Sequence, residues 1–392
     1  MSLKGELLSR FERFKKNMAN LEKDWEVVAI FGKVNTFYFT NTMQNGVLII
    51  KRTGENFFFV RKSYERAKIE SPLDFIYPIK SFKDIFDTTD LKGESIHIEK
   101  DVVPYGFFER FNKNFGFKRV GSADLAIAKT RAVKSDYEIG LMKKSGEIHE
   151  YILQKFVPTI LREGITEAEL GAEILREIII KGGQGLTRMG TFNAELYLGN
   201  ICFADSGNYY NSFDGPAGIF GVSPAVPLLG NHRKKLLKDS VIMLDIGCGY
   251  EGYHTDKTTV YAFGKIPQEA YDFHKRCVEI QNMVAERLSP GEIPSKIYED
   301  IISRVDRDFD INFMGFGPNK VKFLGHGIGL VIDEYPVIAK GFDDPLEENM
   351  VMAIEPKKGI ENVGMVGIEN TFLVTAKGGM SITGSDYDII NV

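Results

Sequence analysis

Leu7, Leu8, Phe11, Phe14 and Met18 recur at close to helical spacing, which predicts an amphipathic helix over residues 6–22. Short apolar runs follow at 27–31, 47–50, 57–60, 75–79 and 96–98, parted by turn-rich pieces such as Arg52-Thr53-Gly54-Glu55-Asn56. Helical stretches lie between the later runs, so roughly the first 125 residues predict a small α/β domain. The pattern then changes. After the polar segment 130–135, Tyr137, Ile139, Leu141, Met142, Ile148, Ile152 and Phe156 fall at helical intervals. This places a domain boundary near 125–133, giving domains of residues 1–128 and 129–392. Thr166-Glu167-Ala168-Glu169 predicts a helix start, with an N-cap hydroxyl and early carboxylates facing the helix dipole. Residues 205–231 are rich in Ser, Gly, Asn and Pro and carry Tyr209, Tyr210, Phe213 and Phe220. A loop of that length with four aromatics predicts a cleft wall.

Composition narrows the function. The 392 residues are 43% hydrophobic, enough for real cores in about two domains. Forty-nine basic against fifty-four acidic residues give a net charge of −5, which argues against a general nucleic-acid binder. No apolar run approaches the ~18–20 residues of a membrane span. The N-terminal residues show no signal peptide, and three scattered cysteines form no framework, so a reducing, cytoplasmic setting is expected.

The chemistry lies in the second half. Val241-Ile242-Met243-Leu244-Asp245-Ile246-Gly247 is an apolar strand carrying one carboxylate. Gly247, Gly249 and Gly252 predict a turn, with a returning strand over 258–263 that brings Asp256 to the same sheet end as Asp245. The oddity recurs at Glu355, in Met350-Val351-Met352-Ala353-Ile354-Glu355-Pro356, and at Glu369, in Gly367-Ile368-Glu369-Asn370-Thr371-Phe372. Between them lies Gly325-His326-Gly327-Ile328-Gly329. A buried carboxylate is expensive unless paired or metal-bound. Four carboxylates and one imidazole therefore read as a metal site, in which two divalent cations would balance four negative charges.

The order Asp, Asp, His, Glu, Glu resembles the ligand set of the pita-bread metallopeptidases, methionine aminopeptidase, aminopeptidase P and prolidase, whose fold creatinase shares. Spacings of eleven (245 to 256), twenty-nine (326 to 355) and fourteen (355 to 369) resemble the prolidase and aminopeptidase P branch most. The segment Arg131-Ala132-Val133-Lys134-Ser135-Asp136-Tyr137-Glu138-Ile139 resembles that family's entry into its catalytic domain. The resemblance implies an α+β fold, a curved antiparallel sheet flanked by helices, preceded by a smaller creatinase-type α/β domain. It implies a small peptide substrate and a homodimer, with no nucleic-acid or membrane partner. Asp245 would bind one metal, Asp256 and Glu369 would bridge the pair, and His326 and Glu355 would complete the second. Oxygen and nitrogen ligands without thiolate suit manganese, cobalt, iron or zinc, with manganese favoured. Two metals ~3.5–4 Å apart would activate a bridging water, and Glu355 could shuttle its proton to the leaving amine.

Three positions depart from that family's pattern. Leu228 and Asp333 stand where it carries histidines, and Gly367 stands where an arginine is usual. With Tyr209 and Phe213, Leu228 and Asp333 are the candidate substrate contacts. His232, on a basic turn, and His254, in the hairpin, are not read as replacements. The reading is thus a peptidase of the Xaa-Pro aminopeptidase or dipeptidase kind with altered substrate contacts. A creatinase-type, metal-independent amide hydrolase and a non-catalytic binding module are the competing readings.

Overall fold

The computed structural model describes residues 2–211 and 214–392. The chain divides into two compact units, Met1–Arg131 and Ala132–Val392. Their architecture is the mixed α/β one the resemblance implies.

In the first unit, helix Leu3–Leu21 begins where Ser2 accepts a hydrogen bond from the Gly5 amide, a side-chain N-cap. Leu7, Phe11, Phe14 and Met18 are buried on it, whereas Leu8, counted in the same stripe, is exposed. A six-stranded mixed sheet runs in the order Ile76–Pro78, Asn56–Val60, Gly46–Lys51, Val27–Ile30, Ser95–Ile98, Arg119–Ser122. Its register pairs Ala29 with Ile49 and with Ile98, and Val47 with Phe59. Those side chains therefore share one face, where Phe108 and Phe111 join them in a core. Val28, Ile30, Leu48, Ile50 and Phe58, on the other face, are buried as well. Burial on both faces explains why these strands read as continuous apolar runs. Strand Arg119–Ser122 has no buried residue, and so carries no such signal.

In the second unit, helix Asp136–Tyr151 starts at a capping box in which Ser135 and Glu138 satisfy each other's backbone amides. Thr166 and Glu169 do the same for helix Glu167–Ile180. A four-stranded sheet contains the hairpin Ser240–Tyr250 and Tyr253–Phe263. A five-stranded sheet contains Phe323–Gly327, Val351–Ile354 and Asn370–Thr375. An isolated bridge between Thr258 and Glu369 links strands of these two sheets, next to the predicted ligands. The hairpin corrects one expectation. Its turn is confined to Glu251 and Gly252, both with positive φ, the conformation that two-residue hairpin loops favour. Gly247 and Gly249 instead continue the strand. A Cβ on Gly247 would meet Thr187 at 2.7 Å, so its bareness lets that neighbouring segment lie against the strand.

Candidate metal centre

The ladder places the two aspartates. Asp245 faces Thr258, and Asp256 faces Gly247, so the carboxylates are diagonal neighbours on one face of the hairpin. In the other sheet His326 pairs with Ala353, and Ile354 with Asn370. Glu355 follows the strand Val351–Ile354 and Glu369 precedes Asn370–Thr375, so both enter from adjoining strand ends. All five predicted ligands, with Asp333, line one cavity of about 50 Å³.

Within it the ligand atoms of Asp256, His326 and Glu369 all lie within 4.8 Å of one another. His326 Nδ1 is 3.0 Å from the Gly327 carbonyl, so a proton there leaves Nε2 facing the cavity. Nε2 is 3.4 Å from Asp333, 3.5 Å from Glu355 and 3.8 Å from Glu369. Burial opposes a charge on this imidazole, but Asp333 and then Glu355 hold its pKa well above the ordinary value. Asp256 and Glu369 are pushed well above the usual carboxylate range, by burial first and then by a neighbouring carboxylate, Asp245 for Asp256 and Asp256 for Glu369. Burial likewise raises Asp333.

A side chain absent from the sequence reading sits at the middle. Lys357 is fully buried, and its Nζ lies 2.7 Å from Glu369, 2.8 Å from Glu355 and 3.2 Å from Asp245. These carboxylates hold the lysine pKa well above its ordinary value despite burial. In return, burial of Glu355 is outweighed by Lys357 and His326, which bring its pKa down to about 2. The signal was the two-residue step from Glu355 to Lys357, which keeps both on one side of an extended chain. Gly367 lies directly across the ladder from Lys357. With φ of 137°, it would bring a Cβ within 2.5 Å of the Lys357 Cα, so no side chain fits there.

The remaining predicted residues separate. Asp333 is in the cavity. Tyr209 lines a neighbouring groove of about 370 Å³, where it packs on Phe220 at 4.4 Å between ring centroids. Asp214, Gly215 and Ala217 line both spaces, so the groove adjoins the carboxylates. Leu228 is half-buried and lines neither of them. Phe213 lies outside the described residues. His232 is exposed, and His254 is buried, held between the Gly329 carbonyl and Gln184. All three cysteines are free and buried. Among the described residues no helix is long and apolar enough to cross a membrane.

A small α/β unit followed by a unit whose four- and five-stranded sheets bring carboxylates and an imidazole together is the arrangement of a metal-dependent peptidase. Residues 140–376 match the model of Metallopeptidase family M24, and residues 10–133 match the Creatinase/Prolidase N-terminal domain. The chain belongs to metallopeptidase family M24. It is 26% identical over 385 residues to the Xaa-Pro dipeptidase of Pyrococcus horikoshii, covering 97% of this chain and 99% of that one. The crystal structure of the prolidase from Pyrococcus horikoshii superposes with a TM-score of 0.78 at 22% identity, covering 97% of this chain and 100% of that one. The Xaa-Pro dipeptidase from Bacillus anthracis gives 0.80 at 20% identity, covering 98% of this chain and 100% of that one. Both structures share this fold: a creatinase-type domain followed by a pita-bread domain. Membership of a metallopeptidase family implies divalent metal ions. Asp256, His326 and Glu369 suit one, since Glu369 Oε1 is buried with no hydrogen-bond partner, 3.8 Å from His326 Nε2.

Proposed function

We propose that this protein is a metal-dependent peptidase that cleaves small peptides near their N-terminus, with Xaa-Pro bonds as the first candidates. The observation that carries the reading is the convergence of Asp256, His326 and Glu369 within 4.8 Å in a cavity that opens toward an aromatic groove. The Xaa-Pro dipeptidase name of the Pyrococcus relative supports the substrate class.

Asp256, His326 and Glu369 would hold the ion, with Glu355 Oε1 beside His326 as a further oxygen. Manganese(II) is the ion proposed, because a nitrogen and oxygen set without thiolate suits it. When bound, a divalent ion supplies Lewis-acid polarisation of the scissile carbonyl and lowers the pKa of water. Glu355 is the group proposed to take the proton from the attacking water and pass it to the leaving amine. Its Oε2 accepts from the Lys357 ammonium at 2.8 Å, which orients the carboxylate. Tyr209 and its neighbours in the groove are proposed to seat the peptide chain beyond the cleaved bond.

Asp333 supports a particular preference. An ionised aspartate only accepts hydrogen bonds and repels the free carboxylate of a bound dipeptide. Dipeptides should therefore be poorer substrates than tripeptides or C-terminally amidated peptides. A panel of Xaa-Pro dipeptides, their amides and Xaa-Pro-Xaa tripeptides, assayed by release of the N-terminal amino acid, tests this. No release from any member would reject the peptidase reading, and dipeptides as the best substrates would reject the role of Asp333.

A further inference from the structure

The carboxylate cluster is divided into two unlike halves. On one side the Lys357 ammonium donates to Glu369 at 2.7 Å and to Glu355 at 2.8 Å, and pairs with Asp245 at 3.2 Å. The other oxygen of Asp245 accepts from the Thr258 hydroxyl at 2.7 Å. Glu369 straddles the divide. Its Oε2 accepts from Lys357, whereas its Oε1 has no hydrogen-bond partner and lies 3.8 Å from His326 Nε2. A second divalent ion shared by Asp245, Glu355 and Glu369 would sit against the ammonium that already pairs with all three, cation beside cation. On the other side, Asp256, His326 and Glu369 leave ligand atoms pointing at a common space.

We propose that this centre is built for a single divalent cation, held by Asp256, His326 and Glu369, and that the Lys357 ammonium stands permanently in place of a second. This rests on the metal-dependent reading above and specifies its stoichiometry. Lys357 is a positioning residue here: it fixes Asp245, Glu355 and one oxygen of Glu369, and supplies a charge that no chelator removes. Gly367 across the ladder leaves no alternative side chain to fill that half.

The test is a count. Purified full-length protein is stripped with a chelator, dialysed against manganese(II), freed of excess metal and analysed for ions per chain. Its electron paramagnetic resonance spectrum is recorded alongside. One ion per chain with the uncoupled spectrum of an isolated manganese(II) is expected. Lys357→Gly, which removes the ammonium, should bind a second ion and show an exchange-coupled spectrum. Two ions in the wild-type protein would overturn this inference and leave the peptidase reading standing. No ion would overturn both. A folded Lys357→Gly protein that still binds only one would overturn the role of the ammonium. If that variant does not fold, the wild-type count and spectrum alone decide the question.

Discussion

Replacing Lys357 with methionine keeps most of the side-chain volume and removes the charge, so it isolates what the ammonium does for the metal-free protein. Three carboxylates lie within 3.2 Å of Nζ, and Lys357 is fully buried. Breaking a buried ion pair by deleting one partner costs about 3–5 kcal/mol, because the abandoned charge stays desolvated. For a unit of this size each kcal/mol moves Tm by roughly 2–4 °C. Chelator-treated Lys357→Met should accordingly melt about 10 °C below the chelator-treated wild type at pH 7.5, measured by differential scanning calorimetry. The gap should narrow at pH 5, where the carboxylates left without a cation take up protons. Manganese(II) should also narrow it, since the ion supplies the missing charge to the same cluster. A metal-free variant that melts with the wild type would refute the claim that the ammonium neutralises the cluster.

Other consequences are open to direct measurement. Asp256→Asn should weaken manganese(II) binding about 100-fold by titration calorimetry, an effect at the upper end for disturbed metal shells, while leaving the Lys357 contacts in place. Asp333→Asn should raise kcat/KM on Xaa-Pro dipeptides about tenfold, worth ~1.4 kcal/mol of removed repulsion, and change tripeptides little. His149 is buried, and burial followed by the charge of Lys257 lowers its pKa from 6.5 to about 3. The stability linked to it is complete above pH 6.5 and is lost as pH falls toward 3, at about 1.4 kcal/mol per unit. Urea unfolding of His149→Phe should therefore lose about 2 kcal/mol less than wild type between pH 7 and pH 5, and equal losses would count against the neutral buried imidazole.

Much of the fold and most of the centre can be read from the chain because they break local rules. Asp245, Asp256, Glu355 and Glu369 stand out as charges inside apolar strands, and the cost of burying them demands a partner. The strands of the first unit announce themselves because both their faces are buried, whereas Arg119–Ser122 does not. Lys357 escapes notice because Lys357-Lys358 looks like a solvated pair. Both are buried, and Lys358 instead lies over the rings of Phe273 and Phe309 at 4.7 and 5.2 Å. Of the aromatics of residues 205–231, Tyr209 and Tyr210 line the groove and Phe220 packs on Tyr209. Tyr209 faces the groove beside the carboxylates, and it is Asp214, Gly215 and Ala217 that reach both spaces. Loop conformation is set by packing against distant strands, which local pattern does not encode.

The measurement that bears most directly on the function is peptide hydrolysis followed through a cycle of metal removal and return. The wild-type protein is assayed on an amidated Xaa-Pro peptide as purified, after chelation, and after manganese(II) is restored, with His326→Ala carried through the same steps. Metal-dependent cleavage means release of the N-terminal residue that disappears on chelation, returns with manganese(II), and is absent throughout from His326→Ala. Hydrolysis that survives chelation, or that His326→Ala retains, would contradict it.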